Sequence, residues 1–206
     1  MSTAAPSQSQ SPSPSQSQSQ SPSPSQSPSP EYLRIGALPT RELEAIMRRG
    51  EPPDPAALTG WEWRGLNTMA WAPLAGIKKF VKGFYRSSAG RVLGYNIPIA
   101  QDAITLPWRA RPSEAHPKRF GHFLVTEPDA ASSDNAFLNS LLLDYGRGPN
   151  PFYDPSAGLR DYLVRIECGS DELLLGTAYF AAGPLRLRVP RAYFVLERRR
   201  PTDFTR

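Results

Sequence analysis

The sequence predicts a mainly β fold: a β-rich α+β domain forming an antiparallel β-barrel or strongly curved sheet, with one or two helices, behind a disordered N-terminal tail. Three observations predict it. Residues 1–30 hold 13 Ser, 7 Pro and 6 Gln, with no charged or aromatic side chain, so no apolar burial there offsets the entropy of ordering the chain. From Asp161 onward apolar and polar side chains alternate in runs separated by tight turns, and tight turns between consecutive strands mean antiparallel pairing. The aromatic residues (4 Trp, 8 Tyr, 9 Phe) fall mostly at alternating positions of such runs. The chain therefore reads as a tail, 1–30, and a single β-rich globular domain, 31–206.

The elements follow in order. Residues 40–50 form a helix, with Thr40 as N-cap, Glu42 and Glu44 near its positive end and Arg48, Arg49 and Gly50 at its close. Leu43, Ile46 and Met47 mark its packing face, and Pro52, Pro53 and Pro55 break the chain after it. Residues 59–68 are a strand, because Trp61 and Trp63 alternate with Glu62 and Arg64. Residues 74–86 show a helical period instead: Leu74, Ile77, Phe80, Val81 and Phe84 share one face, and Lys78, Lys79, Lys82 and Arg86 the other. A strand over 91–97, an irregular Pro-rich segment over 102–118 and a strand over 119–126 come next. Residues 135–145 fit helix or strand, and 146–158 form a loop. Strands over 161–167, 172–180, 185–189 and 192–197 complete a meander.

Composition excludes several function classes. The lone Cys168 rules out an internal disulfide framework and a Cys-rich zinc site. No run of 18 apolar residues offers a spanning helix. His116 and His122 are the only histidines, and their spacing suits no metal pair, so no metal or cofactor is expected. No Gly-x-Ser-x-Gly elbow, phosphate loop or dinucleotide fingerprint occurs, which leaves little case for an enzyme. With no signal sequence and one Cys, the expected compartment is the cytoplasm.

Residues 58–65, Leu-Thr-Gly-Trp-Glu-Trp-Arg-Gly, resemble the first-strand signature of lipocalin-like barrels and of bacterial domains with a Gly-x-Trp-x-Gly pattern. Here two residues separate Gly60 from Trp63, where the pattern has one. The resemblance implies an interior cavity for an apolar small molecule. Nitrobindin-like barrels, with a similar start, would imply haem on a late-strand His, and this chain has no His after His122.

The function expected from these features is non-catalytic binding of a small apolar or amphipathic ligand, lipid-like and possibly a carboxylate. Trp61, Trp63 and Tyr95 would line the cavity with the polar Arg64, Asn67, Asn96, Arg109 and His122, and Arg64 or Arg109 would pair a carboxylate head. The alternative rests on charge. From Trp63 to Gln101 the chain has no Asp or Glu but six basic residues, so a helix over 74–86 would present Lys78, Lys79, Lys82 and Arg86 to an anionic membrane or protein partner. Nucleic acid fits poorly, because Phe80 and Phe84 would lie on the opposite face from the lysines. An isomerase- or cyclase-type enzyme in the same cavity is the third reading.

Overall fold

The computed structural model describes Met1 and residues 27–68, 77–132, 137–182, 187–188 and 192–206. Most of the tail, and residues 74–76 of the expected helix, lie outside the described residues.

Eight antiparallel strands close into a barrel: β1 (Trp61–Asn67), β2 (Lys79–Arg86), β3 (Val92–Pro98), β4 (Phe120–Thr126), β5 (Leu141–Asp144), β6 (Leu159–Arg165), β7 (Leu173–Ala182) and β9 (Ala192–Pro201). Each pairs with the next, β6 pairs with β7, and β9 pairs with both β7 and β1, which closes the ring. A short strand, β8 (Leu187–Arg188), pairs with the end of β7.

Strand alternation yields two apolar layers rather than one. Trp63, Phe84, Phe123, Leu143, Leu163, Leu174 and Leu196 point into the lumen, where Leu58 of α3 (Pro55–Leu58) joins them. Leu66, Val81, Tyr95, Leu124, Tyr162, Leu175 and Val195 point outward beneath further chain. Two helices cover part of that outer face, α1 (Pro30–Gly36) against β9 and α2 (Thr40–Arg49) against β7. Tyr32 and Ile35 of α1 and Leu43 and Met47 of α2 are fully buried there, at helical spacing. Trp108, in the long β3–β4 connection, covers β1 from outside and donates from its indole N–H to the Gly65 carbonyl at 3.4 Å.

The expected helix over 74–86 is corrected. Its described part is strand β2 from Lys79 onward. Phe80, Lys82 and Phe84 face the lumen while Val81 and Tyr85 face the outer layer, so both faces are buried and the period of two is hidden beneath apolar residues on each. Helix α2 is where the sequence places it, with Pro39 rather than Thr40 at the cap position. The 135–145 segment, which fits helix or strand, ends in β5 and the start of a 3-10 turn over Tyr145–Arg147, and its residues 135 and 136 lie outside the described residues. Helix α1 begins with Ser29, whose hydroxyl accepts the Tyr32 N–H at 3.1 Å, so the last residues of the Ser/Pro/Gln-rich segment are used by the fold.

The strand directions sort the connections into two ends. The β1–β2, β3–β4, β5–β6 and β7–β9 connections share one end, called here the loop end. The β2–β3, β4–β5 and β6–β7 turns share the other with α3 and the C-terminus. Gly60 holds φ at +81° where the chain turns into β1; its N–H reaches the Phe84 carbonyl at 2.9 Å and its own carbonyl accepts from Thr202 at 2.8 Å.

Candidate functional site

In the lumen, four polar side chains from four strands or strand ends converge. Lys82 on β2 places its Nζ 2.9 Å from Asp161 Oδ2 on β6, 2.9 Å from Asn96 Oδ1 on β3 and 2.6 Å from the Tyr145 hydroxyl. Tyr145 donates to Asp161 at 3.0 Å, and the Asn96 amide donates to the Gly121 carbonyl at 2.9 Å. The rings of Phe80, Phe123, Tyr145 and Phe194 surround the ammonium at 5.0–5.4 Å. Burial lowers the Lys82 pKa against the pull of Asp161, and burial followed by Asp161 raises Tyr145 well above the phenol range. All three ammonium donors are satisfied.

Around this network the lumen is filled, as an eight-strand barrel permits. Gly65 and Gly176 leave room that the Phe80 and Phe194 rings occupy. A Cβ added at either glycine would lie 2.3 Å and 2.1 Å from those rings respectively. The two rings meet edge to face at 5.6 Å.

The eight expected ligand-lining residues do not converge. Trp61, Trp63 and Asn96 face the lumen, the two indoles beneath the Arg198 guanidinium at 4.9 and 5.2 Å. Arg64 faces outward, buried, with its Nε 3.1 Å from Glu197 and its guanidinium over Trp108. Asn67 closes the β1–β2 connection through a bond to the Ile77 carbonyl. Tyr95 and His122 are on the outer face, and Arg109 is an exposed partner of Asp102 at 2.8 Å. Nor do the four basic residues form one surface. Lys79 is buried over the Trp108 ring, bonded to Asp102 and the Ala103 carbonyl; Lys82 is in the lumen; Lys78 is half-buried and Arg86 exposed.

Outside the barrel wall lies a cleft of about 790 Å³ that sequence reasoning missed. It runs between the Glu114–Arg119 segment and the C-terminal Arg200–Asp203, with Glu62 at its floor. Glu62 is 2 % exposed and is held by Arg200 at 2.8 Å and Arg199 at 3.6 Å. Arg200 also meets Glu114 at 2.7 Å and Arg199 meets it at 3.7 Å, so two carboxylates and two guanidiniums close a neutral ring. Burial pushes the Glu114 pKa up, but the Ala110 N–H and the two arginines outweigh it and leave the carboxyl below its usual value.

Arg119 stands apart from that ring. Its guanidinium lies 4.3 Å from the Phe204 ring centre and 5.1 Å from that of Tyr95. Its Nε is buried without a hydrogen-bond partner, and no carboxylate pairs with it among the described residues. Stacking fixes the guanidinium plane, and Tyr95 shares a side-chain hydrogen bond with it. The signal was out of reach because Phe204 and Tyr95 are distant in sequence from Arg119 and only the C-terminal crossing joins them.

No protein-family model matches this chain, and neither does any curated protein. Among the described residues no three His, Cys, Asp or Glu side chains are grouped to hold a metal, and no helix is long and apolar enough to cross a membrane.

Proposed function

We propose that this chain is a non-catalytic binding protein for a small organic acid with an apolar body, seated in the wall cleft with its carboxylate on Arg119. The observation that carries this reading is a stacked guanidinium, without a carboxylate partner, in a cleft of the size that suits a small molecule. The neighbouring arginines are already neutralised by Glu62 and Glu114, so among the described residues Arg119 is the cleft's cation without an ion pair, with Asp203 the anion without one. Ala115, Pro117 and Pro201 give the ligand body apolar contact. A lipocalin-like barrel would take its ligand in the lumen; the filled lumen around Lys82 favours the wall instead. The head-group role expected of Arg64 or Arg109 passes to Arg119, because both of those already face carboxylates.

Calorimetric titration with hexanoate and with hexanol tests the reading. Hexanoate binds and hexanol binds more weakly. Arg119→Gln weakens hexanoate by about 1.5–3 kcal/mol, the range for a hydrogen bond to a charged group, and leaves hexanol unchanged. Equal weakening of both ligands, or no binding of either, contradicts it.

A further inference from the structure

The loop end of the barrel carries both exposed large apolar side chains and cations without ion pairs among the described residues. Phe152 and Tyr153, in the β5–β6 connection, are 98 % and 73 % exposed and touch only edge to face at 5.2 Å. Exposed aromatics of this size are uncommon on a surface that meets only water. Ile77 and Phe120, at the starts of β2 and β4, are 56 % and 44 % exposed. The connections at the same end also carry Lys78, Arg111, Lys118 and Arg147, none in an ion pair among the described residues.

The tip that carries Phe152 and Tyr153 is held in place. The Asn150 side chain accepts the His122 N–H at 2.7 Å and donates to the carbonyls of His122 and Tyr145 at 2.6 and 3.0 Å. Pro149, Pro151 and Pro155 restrict the backbone on either side. The aromatic pair is thus presented by an ordered base, and the entropy of fixing it is spent on folding rather than on association.

Acidic groups at this end are committed. Asp102 pairs with Lys79 and Arg109, and the Asp154 side chain accepts the Ser156 N–H. The connections at the opposite end carry Glu127, Asp129, Glu167, Asp171 and Glu172 against Arg86 and Arg91, with Asp171 paired to Arg165 and Glu172 to Arg198. The charge therefore divides along the barrel axis, positive where the aromatics are exposed.

We propose that the loop end docks on an anionic lipid bilayer, with Phe152 and Tyr153 entering the headgroup region and Lys78, Arg111, Lys118 and Arg147 facing the lipid phosphates. The exposed aromatic pair and the charge division favour a bilayer over an acidic protein or nucleic acid. The surface differs from the one expected of a helix over 74–86, since Lys79 and Lys82 take no part in it.

Co-sedimentation of the full chain with vesicles tests the proposal. The protein binds vesicles of phosphatidylglycerol mixed with phosphatidylcholine, binds pure phosphatidylcholine at least tenfold more weakly, and is released by salt. Lys118→Gln with Arg147→Gln weakens binding by about fivefold per charge. Phe152→Ser with Tyr153→Ser weakens it at least tenfold while circular dichroism and thermal midpoint stay unchanged, since both side chains are in water. Arg86→Gln with Arg91→Gln, at the opposite end, leaves binding as it was. The proposal is overturned by no binding to the anionic vesicles, by binding indifferent to the Phe152 and Tyr153 changes, or by tighter binding to duplex DNA than to the vesicles.

Discussion

Lys82 and Asp161 stand on strands four apart in a ring of eight, on opposite walls of the barrel, and their charged groups meet at 2.9 Å in its middle. The pair ties the walls together through a lumen otherwise filled by Phe, Trp and Leu side chains. A buried ion pair adds little net stability over a well-packed apolar pair, yet losing one partner strands the other. Lys82→Met alone is therefore expected to cost about 3–5 kcal/mol in urea unfolding. Adding Asp161→Leu to it recovers most of that loss. A double variant as unstable as Lys82→Met alone would show that Asp161 is not the group left uncompensated.

Gly176 offers a test of the packed lumen. Its missing side chain is the space that Phe194 occupies, so Gly176→Ala forces the ring aside and costs about 1–3 kcal/mol. Phe194→Leu vacates that space. The two changes together should cost less than the sum of the two alone, as residues in contact do. Additive losses would mean that the lumen around Phe194 is looser than described.

Stability should fall with acid in two separate windows. Burial, then the neighbouring Arg206, holds the His122 imidazole below its usual value. As pH drops below about 6.5 the unfolded chain takes up the proton before the folded one does, so folding loses ground there. His122→Gln should flatten that part of the profile. Asp102 acts in the same sense at lower pH: the Lys79 hydrogen bond, then that of Arg109, holds it at about 2 against a usual 3.8. Its contribution is complete above the usual value and is lost as pH falls toward 2. Asp102→Asn should remove the second window and spare the first, as read by thermal midpoint against pH.

Strands were legible where polar and apolar residues alternate or a turn signal closed them, and β1, β3, β4, β6, β7 and β9 appear near their expected bounds. Strand β2 was not, because its alternation sets apolar against apolar with lysines inside the lumen, an arrangement that reads as an amphipathic helix. Helix α1 had its signals in plain sight, Ser29 as cap and Pro30 at the first turn, but they sit at the end of the Ser/Pro/Gln-rich segment and share its composition. Trp61 and Trp63 do share one face with Arg64 opposite, as strand alternation requires. Which face was lumen and which was covered exterior depended on closure of the barrel and on the crossing of Trp108 and Phe204, contacts set by chain segments far away in sequence.

The central claim is that a small acid occupies the wall cleft and not the lumen. Backbone amide chemical shifts followed during a hexanoate titration test it most directly. The account predicts saturable shifts at Glu114, Ala115, His116 and Arg119 and at Thr202 to Phe204, with Lys82, Gly65 and Gly176 still. Shifts centred on Lys82, Gly65, Gly176 and Phe194 would place the ligand inside the barrel and contradict it.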